Sequence, residues 1–200
     1  MTIAFPALSR ADAGSLAWFL QANTQIFESP LDKTVQTLEL PGARWGFSCT
    51  WANLLEADAA LLQAFLVRLR GRSGRFTAHN WARPRPRGTC ALSGVTLAAA
   101  AALGDTAASL AGCGAGATLL AGDFIGIGGE LKMVVADATA DGSGTLAATF
   151  EPPLRAAAGA GDAVTTEKPT ATFMLDEDRT SWTTGAAVIT DVALAATEAF

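Results

Sequence analysis

Proline occupies alternate positions within RPRPRG at 83–88. Proline fixes φ and carries no backbone N–H, so this run bars both a helix and a central strand and favours a stiff, extended connector. Composition changes across it. The residues before it carry long patterned segments, whereas those after it are rich in glycine and alanine and hold only short β-like stretches. Lys168-Pro169 marks a second break, beyond which longer strand-like segments return. These breaks predict that residues 1–87 together with 169–200 form one domain, into which a small β-domain over 88–168 is inserted. A plain two-domain order is the alternative.

Within the first part, TVQTLEL (34–40) alternates Val35, Thr37 and Glu39 against Gln36, Leu38 and Leu40, the period of a strand. Pro41-Gly42 reads as a turn. ARWGFSCTW is then expected to return as the partner strand, with Trp45, Phe47, Cys49 and Trp51 on one face, making an aromatic-sided hairpin over 34–51. WFLQANTQIF (18–27) reads as another strand, closed by the turn-prone ESPLDK. A helix is predicted over 53–70, with Asn53 as its cap and Glu56 three residues on. Leu55, Ala59, Leu62, Leu66 and Leu69 form its apolar stripe, Arg68 and Arg70 suit the negative end of its dipole, and Gly71 stops it. GRFTAHNW (74–81) follows as a strand.

Past the connector, strands are expected at 89–97, 106–111, 123–127, 131–138, 145–150 and 163–167, a spacing that suggests a small barrel or sandwich. In MVVADATADGSGTLAATFEPPLR (133–155), Asp141-Gly142 and Gly144 supply a hairpin reversal and Pro152-Pro153 end the second strand. Residues 170–178 and 187–200 read as longer strands joined through RTSWTTG. The expected fold class is mainly β with α+β character: a sandwich or split barrel with one packed α-helix, plus the small barrel-like insert.

Signatures of chemistry are sparse. A net charge of −5 and a pI near 4.8 argue against a generic nucleic-acid binder. No apolar run reaches the roughly 18–20 residues of a membrane span, so no membrane segment is expected, and MTIAFPALSRADAG lacks the pattern of a secretory signal. Cys49, Cys90 and Cys113 are too widely spaced for a CxxC metal site and read as ordinary buried thiols. His79 is the single histidine, with no identifiable partners for zinc or a nucleophile. The glycines of AGCGAGA and GIGG lack the strand–loop–helix setting of a dinucleotide site. Asp137, Asp141 and the run Asp176–Asp178 fit solvated turns better than a glycosidase pair or a calcium loop. No catalytic, cofactor or metal site is expected. Arginine is the exception: Arg68, Arg70, Arg72, Arg75, Arg83, Arg85 and Arg87 lie within twenty residues, with Trp81 among them. Arginine and tryptophan are enriched at protein interfaces, so Trp45, Trp51, Trp81, Arg68, Arg70, Arg72, Arg75, Arg83 and Arg85 are the candidate interface set.

The order of hairpin, helix, strand, β-insert and closing strands resembles the distal tail proteins of long-tailed bacteriophages and prophages, and more broadly the tail-tube fold. VQTLELPGARW, AFLVRLRGRSGRF and AGDFIGIGGELKMVVADATADGSGTLAATFEPPLR are similar to segments of prophage tail-module proteins. The resemblance runs from about Val35 to the end of the chain and implies a non-enzymatic virion component. It implies a tail-tube-like domain that assembles with its own copies into a ring, commonly hexameric, at the tail tip after synthesis in the host bacterial cytoplasm. The implied partners are the tail tube protein, the tail-tip hub and the tape-measure protein, with DNA only passing through the lumen. A tube or terminator subunit is the nearest alternative. A carbohydrate-binding or adhesin module using Trp81 and Trp182 is a rival of another class, and a small carboxylate hydrolase a further one.

Overall fold

The computed structural model describes residues 2–8, 14–185 and 189–200. Strand β1 is Thr2–Ala4, β2 Ser15–Gln21, β3 Thr24–Glu28, β4 Val35–Glu39 and β5 Arg44–Leu54; helix α1 spans Glu56–Leu69, a 3-10 turn covers Gly71–Ser73, and β6 is Arg75–His79. Next come β7 Thr96–Leu97, β8 Ala107–Ala111, β9 Thr118–Leu119, β10 Phe124–Ile127, β11 Glu130–Val134, β12 Ala138–Thr139, β13 Leu146–Glu151 and β14 Val164–Thr165. The chain closes with β15 Thr170–Leu175, β16 Trp182–Thr184 and β17 Thr190–Glu198. The described residues are mainly β with one α-helix, the expected class.

One sheet runs β1-β6-β15-β17-β5-β2, with β16 also pairing β17, so it draws strands from both ends of the chain. Its side chains follow the period of two. Trp45, Phe47, Cys49 and Trp51 of β5 point inward, as do Phe76 and Ala78 of β6, Phe173 and Leu175 of β15, and Val192, Leu194 and Ala196 of β17. Leu62, Phe65, Leu66 and Leu69 of α1 join the same core. Aromatic rings dominate it, with Phe47 edge-on to Phe173 at 4.9 Å and stacked on Trp18 at 5.2 Å. Buried aromatics of this kind contribute about 1.5–3 kcal/mol each in apolar transfer, beyond ring–ring terms.

The helix start differs from expectation. Leu55 holds the N-cap position, with no side-chain cap bond, while Glu56 and Asp58 supply negative charge in the first turn. Asn53 belongs instead to a β-bulge: Thr190 faces Leu54 while Val192 faces Trp51, so β5 has one residue more than its partner. Asn53 takes φ 58° there, and its N–H donates to the Asp191 carboxylate at 2.8 Å. The extra residue turns Leu54 into the core, and it also leaves Leu55 exposed rather than on the apolar stripe. At the other end Arg70 caps the helix in the left-handed region, and Gly71 follows at φ 65°.

The second sheet runs β14-β10-β11-β13-β8-β7. Its outer strands meet. Thr96 bridges Ala163, the Leu97 N–H donates to the Asp162 carbonyl at 2.9 Å, and the Val164 N–H donates to the Val95 carbonyl at 2.9 Å. The sheet therefore curls into a nearly closed barrel, which removes its exposed edges. A short ribbon of β9 and β12 sits beside it. Consequently 131–138 is two strands rather than one, and the expected 133–155 hairpin forms with a short ladder, Met133–Glu151 and Val134–Phe150, extended by the Val135 N–H donating to the Thr149 carbonyl at 2.9 Å. Asp141 closes the reversal as its carboxylate accepts from the Ser143 N–H, the Ser143 hydroxyl and the Thr145 N–H. The expected 89–97 strand reduces to β7, and β16 forms within RTSWTTG, the expected connector. The 187–200 expectation falls partly outside the described residues.

Strands β10 and β11 are the wall between the two cores. Phe124 and Leu131 face the first, whereas Ile125, Ile127 and Val134 face the second. Burial on both faces explains why FIGI has no polar side, whereas β11 places Glu130 and Lys132 at alternate positions of one face, where they are buried as a pair.

Candidate assembly surface

Strands β2 and β3 are separated by two residues, and β4 and β5 by four. Strand β2 pairs β5, from Ser15–Thr50 to Gln21–Arg44, and β3 pairs β4, from Thr24–Glu39 to Glu28–Val35. These four strands are thus one long ribbon. Pro41-Gly42 is not the turn between β4 and β5 expected from sequence, and no 34–51 hairpin forms. It is a kink in one side of the ribbon, where the longer side loops out. The Leu40 N–H donates to the Asn23 carbonyl, and the Asn23 side-chain amide donates to the Pro41 carbonyl, both at 2.8 Å. Gly42 accommodates the kink at φ 112°.

The reversal lies further out, over residues 29–34. The Ser29 N–H donates to the Thr34 carbonyl at 2.9 Å, the Asp32 carboxylate accepts from the Thr34 hydroxyl at 2.9 Å, and Lys33 meets Glu28 at 2.8 Å. Hydrogen bonds from Ser29 and then Thr34 hold the Asp32 carboxyl below its usual pKa. Beyond the kink, five residues of strand at about 3.3 Å each carry this arm roughly 17 Å outward before its tip.

Every residue of β3 and β4 is exposed. The arm nevertheless carries Ile26, Phe27, Val35 and Leu38, between 50% and 66% exposed, with Leu31 at its tip 95% exposed. The register sorts them. Phe27 and Leu38 share one face with Gln25 and Gln36; Ile26 and Val35 share the other with Thr24, Thr37, Glu28 and Glu39. A two-stranded ribbon has little stability alone, and contiguous exposed apolar side chains mark a surface made for contact. Strand β2 lies at the sheet edge next to this arm, and among the described residues no strand pairs its outer side.

The expected interface residues lie elsewhere. Trp45 and Trp51 are 3% and 1% exposed, so both fill the interior and neither is available to a second subunit. The Trp45 indole N–H donates to the Leu131 carbonyl at 2.8 Å and its ring meets Phe124 at 5.5 Å, joining the main sheet to the barrel wall. Trp81 is half-buried against Phe5, Phe47 and Trp51 at 4.9–5.8 Å. Trp81 also lines a cavity of about 470 Å³ with His79 and Lys168. Burial, and then the Lys168 charge, depress the His79 pKa. Trp182 is 40% exposed in β16.

Arg83 and Arg85 act within the chain. Arg83 donates to the Gly122 carbonyl at 2.9 Å, and Arg85 places two nitrogens on one Glu167 oxygen at 2.6 and 2.9 Å. Asp123, which is buried, accepts from the N–H groups of Arg87, Gly88 and Leu120. The arginine-rich connector is therefore clamped to the barrel it leads into. Arg75 is part-buried and donates to the Arg72 carbonyl at 2.9 Å. Arg68, Arg70 and Arg72 are exposed at the helix end, where the Arg72 N–H donates to Asp178 at 3.0 Å.

A second junction is buried and charged. Glu198, 1% exposed, accepts from the Trp45 N–H at 3.0 Å and from Arg155 at 2.6 Å. Lys132, fully buried, donates to Glu130 at 2.6 Å and to the Pro153 carbonyl at 2.7 Å. Burial depresses the Lys132 pKa, while the Glu130 carboxylate opposes that shift. The Arg155 guanidinium sits 4.2 Å from the Phe200 ring centroid, a cation–π contact. Leu40, Pro41, Leu103, Pro152, Pro153 and Phe200 line a groove of about 750 Å³ where the arm root meets the barrel.

Among the described residues, no group of three or more His, Cys, Asp or Glu side chains is placed to hold a metal ion, and no helix is long and apolar enough to cross a membrane. The arm is hard to recognise in sequence because its apolar residues lie on both faces, and because β4 pairs β3 rather than the β5 segment that follows it. The signal present was the pair Phe27 and Val35 flanking the polar turn SPLDKT, a better hairpin centre than Pro41-Gly42. No protein-family model matches this chain, and no curated protein is significantly similar to it.

Proposed function

We propose that this chain is a structural subunit of a bacteriophage tail that assembles with its own copies into a ring at the tail tip, joining the tail tube to the tip hub. The exposed apolar arm is the observation that carries this reading. Ten exposed strand residues, four of them large and apolar, are held away from the chain's own core and need a protein surface to cover them. The outer side of β2 beside the arm, which no strand pairs among the described residues, offers a neighbour strand-edge hydrogen bonds. A cyclic ring places one face of each arm against the next copy, a heterologous contact that closes on itself.

The other face then lines the lumen. The Ile26 face carries Glu28 and Glu39, and with a chain charge of −5 acidic groups there would repel passing DNA and keep it from sticking. In this reading the tail tube protein and the hub dock on opposite rims of the ring, and the tape-measure protein and DNA occupy its lumen. The protein works by shape and contact, without catalysis. Images of the purified protein in negative stain, alone and on tail particles, test it. Rings of uniform diameter at the far end of the tail support the reading; a monomer at high concentration that never joins particles overturns it.

A further inference from the structure

The barrel brings together two thiols that stand twenty-three residues apart in the sequence. Cys90 lies in a segment, 82–95, that contains neither helix nor strand, and Cys113 lies in the turn after β8. Their backbones run side by side. The Ala91 N–H donates to the Cys113 carbonyl at 2.9 Å, the Cys90 N–H to the Thr118 carbonyl at 3.0 Å, and the Cys113 N–H to the Gly144 carbonyl at 3.1 Å. Both side chains are buried in the same barrel core, so the paired backbones bring the two thiols into one small apolar space. Cys49 lies in the other core, among α1 and β17 side chains.

We propose that Cys90 and Cys113 are a redox pair that forms an intramolecular disulfide when the protein meets a low-molecular-weight disulfide such as oxidised glutathione, stapling the connector segment to the barrel. The Cys90 thiolate attacks one glutathione sulfur and expels a glutathione thiolate, leaving a mixed disulfide on Cys90. The Cys113 thiolate then attacks the Cys90 sulfur and expels the second glutathione thiolate. The two protein thiols lose two electrons to the one glutathione disulfide, and the two released thiolates take up the protons.

The surroundings set the rate and the direction. Burial raises both thiols, Cys90 to about 12, so thiolate is scarce in the closed fold and exchange is slow near neutral pH. The first step needs a local opening of this segment, in which the Cys90 and Ala91 bonds to Thr118 and Cys113 part and expose the Cys90 thiol. When the segment closes again, the shared core brings the two sulfurs near each other and favours ring closure over a lasting mixed disulfide. The reaction is independent of ring assembly, and its failure leaves the assembly reading untouched.

The test uses the whole chain, incubated either with a reducing phosphine or with oxidised glutathione at pH 8.5 in mild urea. Thiols titrated after denaturation are expected to fall from three to one. Trypsin, cutting after Arg87 and Lys132, with an endoprotease cutting before Asp105 and Asp123, should release fragments 88–104 and 105–122 joined by a reducible bond. Closing a loop of this size should raise the melting temperature by roughly 5–10 °C. Cys49→Ser should keep the cross-link, and Cys90→Ala should abolish both it and the thermal shift. Three thiols surviving the oxidant, stable glutathione adducts on Cys90 or Cys113, or a cross-link that includes Cys49 would each overturn the proposal.

Discussion

Replacing Phe27 and Leu38 together by serine removes the apolar groups from one face of the arm and leaves the other face intact. Phe27 is 60% and Leu38 50% exposed in the single chain. Full burial of such side chains is worth about 1.5–3 kcal/mol each, so covering the exposed half or so contributes roughly 1.5–3.5 kcal/mol for the pair. That loss corresponds to an association constant roughly 10- to 400-fold weaker per subunit contact. The single chain should be unaffected within about 0.5 kcal/mol, because both side chains are already in water there. Sedimentation velocity across a concentration series reads the first quantity, and urea unfolding of the dilute protein reads the second. The companion variant I26S/V35S makes the same cut on the opposite face, so the pair reports which face meets a neighbour. The reasoning is refuted if neither double variant weakens association. It is equally refuted if F27S/L38S destabilises the isolated chain by several kcal/mol, since the arm would then be packing on its own molecule.

Glu198→Ala strands the Trp45 N–H and the Arg155 guanidinium in a buried site, and should cost about 3–5 kcal/mol in urea unfolding, with Glu198→Gln recovering part of the loss. Gly71→Ala places a Cβ at positive φ and 2.7 Å from the Asp178 carboxylate; a loss of about 1–3 kcal/mol is expected by the same measurement. Asp141 is held below its ordinary pKa of 3.8, chiefly by the Ser143 hydroxyl and then the Thr145 N–H. A depressed carboxylate adds stability that is complete above pH 3.8 and is lost as pH falls through the lower folded value. Asp141→Ala should therefore be less stable than the parent at neutral pH, with the gap closing in acid unfolding curves below pH 3.8.

Much of the fold is written in local patterns. The alternation Trp45, Phe47, Cys49, Trp51 predicts the inward face of β5, and the 3.6-residue recurrence of Leu62, Leu66 and Leu69 predicts the helix and its buried side. RPRPRG predicts an extended connector, and no helix or strand forms there. In each case the pattern and the structure it specifies lie within a few residues, so the chain alone determines them. Pairing is a different kind of property. Nothing within 34–51 distinguishes a strand that turns at Pro41-Gly42 from one that kinks there. The choice is made by residues 24–28 occupying β4's edge and by β17, about 140 residues away, occupying one side of β5.

The same holds for the site. Tryptophan and arginine identities suggested an interface, but identity does not tell which side of a sheet a residue faces once the sheet has a second layer. The barrel wall of β10 and β11 buries Trp45, and Asp123 with Glu167 engages the connector arginines. Sequence by itself determined the mainly β character, the one helix and its buried face, and the extended connector. Only the tertiary structure decided the long ribbon, the barrel closure between Thr96 and Ala163, the placing of Cys90 and Cys113 in one core, and the solvent exposure of Ile26, Phe27, Val35 and Leu38. The physical reason is range: side-chain periodicity encodes how a segment divides between apolar and polar faces, whereas exposure and pairing depend on which distant segments arrive to cover them.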